Sequence, residues 1–244
     1  INKMSKKILF AVMIALFIQS CNRDDKNSSK TGEKEVESLA EQNTNDDKAI
    51  EKYLDEHYLN SQGVVTKFDK TDTRDDNEKK LSDLNPKKLE NGIIIIKREK
   101  AQPANGKTIG ATDILHIMTK TQTFLSQKEA SGNVSYTSEL NFVNTIDASG
   151  VPEKDPYYYY VNQSVLDKAT TNDAKKRSYY EIEGFQEGLK EFKAFDKSDN
   201  EGYNLQGVII VPSRLAYARD PHYLGIFRNR NFVFNFQIYK AETR

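Results

Sequence analysis

Apolar positions are sparse at first and then recur with strand-like density. From Asn22 to Thr44 the only apolar side chains are Val36, Leu39 and Ala40. That is too few to offset the cost of ordering the backbone, so this stretch reads as a disordered tether. Asn45-Asp46-Asp47 then offers a helix N-cap, and Ala49, Ile50, Tyr53, Leu54 and His57 recur at helical spacing. The pattern predicts a short amphipathic helix over Asn45–Tyr58. After a charged loop from Asp69 to Glu78, Asn91-Gly92 marks a turn before Ile93-Ile94-Ile95-Ile96. Four consecutive β-branched residues predict a buried strand. Asp113 to Phe124, Tyr136 to Ile146, Tyr157 to Val161, Leu205 to Val211 and Asn231 to Tyr239 predict further strands. Phe185, Leu189 and Phe192 share one face of a helix predicted over Phe185–Phe195. Strands around a single helix in the C-terminal half give an α+β class with an antiparallel sheet.

Composition narrows the function. Hydrophobic residues make up 37% of the 244, below the usual ~45–50%, in keeping with a long unpacked stretch. Lys+Arg 36 against Asp+Glu 36 leaves no electrostatic footprint for a nucleic-acid partner. One cysteine excludes an internal disulfide and a multi-cysteine zinc site. His57, His116 and His222 show no close metal-ligand spacing. Neither a Gly-rich phosphate loop nor a G-x-S-x-G or H-E-x-x-H motif is present, so no cofactor is implied.

The N-terminus suggests export. Lys3, Lys6 and Lys7 precede the apolar run Ile8 to Ile18, which ends at Gln19-Ser20-Cys21. These are the parts of a secretory leader, and the run is short of the roughly 20 residues that span a bilayer. Its end resembles a bacterial lipobox, which implies cleavage before Cys21 and a membrane anchor through lipid on that thiol. Asn22-Arg23-Asp24-Asp25 resembles the surface-export signal of Bacteroidetes lipoproteins. The expected organisation is a leader over 1–20, a tether over 21–44, a helical extension and loop over 45–90, and one domain over 91–244.

Aromatic residues dominate the last part of the chain. Ile182-Glu183-Gly184-Phe185-Gln186-Glu187-Gly188-Leu189 is followed by Val208-Ile209-Ile210-Val211-Pro212-Ser213-Arg214-Leu215-Ala216-Tyr217. Ile226 and Phe232-Val233-Phe234-Asn235-Phe236-Gln237-Ile238 close the pattern. This order resembles the FKBP family of peptidyl-prolyl isomerases, and leader, tether and domain together resemble gliding-motility-associated FKBP lipoproteins in layout. The resemblance implies an antiparallel sheet around one short helix, with proline-containing polypeptides as clients. Residue by residue it makes Phe185 the pocket floor, where the family has Trp. Ile182 supplies the amide that receives a substrate carbonyl, and Tyr217 supplies a hydroxyl for another. Ile226 and Phe234 become walls, with Tyr136 and Tyr159 as further aromatic contacts. The departures are Glu181 where the family prefers Val, Thr137 for an Asp, and Ala218 for the Gly after the tyrosine. They leave two expectations open: a lipid-anchored isomerase, or an FKBP-like binding and assembly lipoprotein with little or no turnover.

Overall fold

Helix α1 runs over Leu39–Glu56, beginning earlier than Asn45. Its cap is Ser38, whose Oγ accepts the Glu41 N–H at 3.1 Å; Ser38 and Glu41 have capping-box spacing. Asn45 and Asp46 therefore lie inside the helix, and both are buried. The computed structural model describes residues 37–220 and 225–244. The leader, Cys21 and the first part of the tether lie outside them. Among the described residues no helix is long and apolar enough to cross a membrane.

Two short strands, β1 (His57–Leu59) and β2 (Val65–Lys67), pair antiparallel after α1. The strands that follow are β3 (Lys87–Lys88), β4 (Ile94–Lys97), β5 (Lys107–Thr108), β6 (Ile114–Lys128), β7 (Val134–Asn144) and β8 (Glu153–Lys154). Helices α2 (Gln163–Lys168) and α3 (Glu183–Leu189) come next, then β9 (Lys193–Ala194), β10 (Gly207–Val211) and β11 (Arg230–Glu242). The main sheet is antiparallel in the order β3-β4-β10-β11-β6-β7, with β8 also paired to β6. The class is α+β, as the strand and helix pattern predicts.

Strand alternation sends side chains to two buried faces. On one, Ile93, Ile95, Ile209, Val211, Phe232, Phe234 and Phe236 pack with Phe185 and Leu189 of α3. On the other, Ile94, Ile96, Val208, Ile210 and Val233 pack with Ala49, Ile50, Tyr53 and Leu54 of α1. Covering both faces accounts for four consecutive isoleucines at 93–96. Helix α1 is thus part of the packing rather than an extension beside a one-helix domain.

A buried polar cluster fixes how α1 docks. The Asp46 carboxylate, fully buried, accepts from Ser126 Oγ at 2.7 Å, from Ser213 Oγ, and from Asn231 Nδ2 at 3.2 Å. Burial pushes its carboxyl above the usual range, while these hydrogen bonds and the Arg214 charge oppose the shift. Arg214 also pairs with Asp47 at 2.9 Å.

Helix α3 lies directly on β10. A Cβ at Gly184 would stand 2.2 Å from Val211 Cγ1, and one at Gly188 would stand 2.6 Å from Ile209 Cγ2. Only glycine allows that approach. Ala218 takes φ 47, in the left-handed region that favours glycine.

Candidate functional site

Five of the expected site residues share one buried cluster: Phe185, Ile182, Phe234, Tyr159 and Tyr217. Phe185 stacks on Phe234 with centroids 4.1 Å apart and 22° between planes. Tyr159 meets the Phe185 ring edge-on at 6.3 Å, and its hydroxyl donates to the Gly110 carbonyl. Tyr217 meets Phe232 edge-on at 5.8 Å.

Two expected residues lie elsewhere. Tyr136 belongs to the α1 face, edge-on to Tyr53 at 5.2 Å, with its hydroxyl bonded to Glu56. The cause is a slip in alternation along β7. The β6–β7 register is irregular between Thr123 and Leu125, where Ser138 takes φ 54, and an extra residue reverses which face later side chains meet. Phe142, left unpaired at a second irregularity between Thr121 and Gln122, reaches the α3 cluster instead, edge-on to Tyr158 at 5.3 Å and to Phe232 at 5.1 Å. Ile226 is 60% exposed and lies outside the buried α3 cluster. Its neighbour Phe227 is buried, edge-on to Phe142 at 5.0 Å. An aromatic next to the expected isoleucine was the available signal.

The residues 157–161, expected to form a strand, are not paired with the sheet. Asp155 takes φ 56 after β8, and the chain crosses the α3 cluster as a strap. The Tyr158 ring is 5% exposed and lies 5.6 Å from Phe185 and 5.9 Å from Phe234, centroid to centroid. Its hydroxyl donates to Glu153 at 3.0 Å, and burial pushes the Glu153 carboxyl upward despite that bond. The Tyr158 carbonyl accepts the Ile182 N–H at 2.8 Å. That N–H stands at the N-cap of α3, where a helix offers unpaired donors. Tyr217 donates its hydroxyl to the Tyr180 carbonyl at 2.9 Å. Both groups expected to hold a substrate thus hold carbonyls of this chain.

Glu181, one of the expected departures, is largely covered and well paired. Its carboxylate accepts the Val161 N–H at 2.9 Å, Arg177 at 2.9 Å and Gln186 Nε2 at 3.2 Å. Among the described residues no group of three His, Cys, Asp or Glu side chains is placed to hold a metal ion. The cluster therefore gathers aromatic rings, the Ile182 amide and the phenols of Tyr158, Tyr159 and Tyr217, each of these donors already bonded within this chain.

No family model matches the chain, and no curated protein matches it either. Among solved structures it is similar to FkpA from Escherichia coli, at 19% identity and TM-score 0.34, over 64% of this chain and 51% of that one. This chain thus spans about half of the FkpA chain. It is similar to the N-terminal domain of FKBP42 from Arabidopsis thaliana, at 10% identity and TM-score 0.35, over 65% of this chain and 92% of that one. It is also similar to a DUF4827 family protein from Parabacteroides distasonis, at 13% identity and TM-score 0.41, over 83% of this chain and 98% of that one. These likenesses are distant and assign no function. The class follows from the sheet and its helices: an α+β domain, antiparallel, with one short helix seated on an aromatic face.

Proposed function

We propose that this chain is an FKBP-like binding or assembly module of the cell envelope, anchored by lipid on Cys21, with prolyl-isomerase turnover suppressed. The observation that carries this reading is the use of the Ile182 N–H by the Tyr158 carbonyl. Rotation about an X–Pro bond crosses a barrier of ~18–20 kcal/mol, and an isomerase lowers it by holding the twisted amide better than the planar one. That requires an open apolar surface beside free donors. Here Phe185 and Ile182 have no solvent exposure, and both donors are committed.

Addition of the protein to a proline-containing tetrapeptide is expected to leave its cis–trans exchange at the uncatalysed rate, tens of seconds or longer. Exchange accelerated in proportion to protein concentration would establish the second reading, an active isomerase acting on exported proteins. That reading draws support from the grouping of Phe185, Phe234, Ile182 and Tyr217 in one cluster.

The envelope location rests on the leader and the single cysteine. Cys21→Ala is expected to move the protein from the membrane fraction to the soluble fraction. A variant that pellets with membranes as the parent does would remove the anchor from the account.

A further inference from the structure

We infer that residues 155–162 form a built-in pseudosubstrate, with the Tyr158 ring occupying the place where an FKBP-like site would seat a proline ring. The inference rests on the FKBP-like reading above and concerns the regulation of that same site. Two contacts of Tyr158, and a proline just before it in the chain, match what a bound peptide would present to this cluster. Its carbonyl lies on the Ile182 N–H. Its ring lies against Phe185 and Phe234, with Phe142 edge-on beside it. The residue two positions before it is Pro156, also buried.

Both ends of the strap are fastened by groups outside the cluster. At the start, Arg244 bonds Asp155, and it reaches forward to Asn162 Oδ1 at 2.7 Å. At the end, Glu181 takes the Val161 N–H and Arg177 takes the Val161 carbonyl at 2.7 Å. The Tyr160 ring sits under both guanidiniums, at 4.7 Å from Arg177 and 4.8 Å from Arg244. Glu181 stands where FKBPs carry an apolar residue. The charge that looked foreign to a binding site therefore has a use: it holds the strap in it. Removing the Tyr158 ring should leave a ring-sized apolar space open beside Ile182, and a dry aromatic cavity of that kind takes up apolar ligands.

The test uses the full chain and a tetrapeptide with an apolar residue before proline. Tyr158→Ala, made together with Glu181→Ala so that the strap is no longer fastened and its carbonyl can leave the Ile182 N–H, is expected to accelerate cis–trans exchange of the peptide at least tenfold over the parent. Tyr158→Phe keeps the ring and loses only the bond to Glu153, and it is expected to stay at the parent rate. Thermal melting establishes that each variant is folded. Should this double variant fail to fold, Tyr158→Leu with Glu181→Ala is read in its place, because it clears the ring and keeps an apolar body. A folded variant that leaves exchange at the parent rate and shows no peptide-induced shift in its amide spectrum overturns the pseudosubstrate. Acceleration by the parent chain would instead overturn the suppressed-turnover reading, so the two failures are separable.

Discussion

A chain beginning at Lys88, without α1, is expected to lose its cooperative thermal transition. Helix α1 buries Ile50, Tyr53 and Leu54 to within 6% of full coverage. Burial of a large apolar side chain contributes about 1.5–3 kcal/mol, so these three alone supply about 5–9 kcal/mol. A domain's whole stability is about 5–15 kcal/mol. The loss is larger still on the sheet side, where Ile94, Ile96, Phe124, Val208, Ile210 and Val233 would be uncovered. Removing α1 would also exchange the bonds that Ser213 and Asn231 make to Asp46 for bonds to water, a net loss of about 0.5–1.5 kcal/mol each. Circular dichroism of this truncation, beside a chain starting at Glu37, measures the effect. A sigmoidal melt within a few degrees of the longer chain would show that the domain folds without the helix.

The expectation that residues 45–90 form an extension came from reading helix α1 by its apolar stripe. That stripe is short, and the remainder of the buried face is polar: Gln42, Asn45 and Asp46. Hydrophobic periodicity cannot register such a face, because its burial depends on partners far away in sequence such as Ser213 and Asn231. A clue was nevertheless present. Ile93 to Ile96 needs cover on both sides, and α3 can cover only one. The aromatic cluster was more legible. The spacing from Ile182 through Gly184, Phe185 and Gly188 reflects a helix pressed against β10, and the alternation Phe232, Phe234, Phe236 reflects one face of β11. Tyr136 was misplaced by a bulge that leaves no composition signal, and Ile226 by a single residue. The run Tyr157 to Val161 has strand-like residues, yet its backbone bonds go to Ile182, Glu181 and Arg177. Side-chain propensity does not reveal which partner a backbone will find.

Hydrogen exchange at the Ile182 amide measures how often the strap leaves the α3 cluster in the resting protein. A donor bonded to Tyr158 at 2.8 Å and fully buried exchanges only when the strap lifts or the domain unfolds. If the strap is integral to the fold, its opening draws on the global stability, about 5–15 kcal/mol. With each 1.4 kcal/mol equal to a factor of ten, the Ile182 amide should exchange at least about three powers of ten more slowly than in an unstructured peptide. The amides of Ile209 and Phe234, in the centre of the sheet, provide the reference for global opening. Protection at Ile182 comparable to theirs is the predicted result. Exchange at Ile182 near the free-peptide rate, while Ile209 and Phe234 stay protected, would mean that the donor is open to solvent and that the site is free for a substrate.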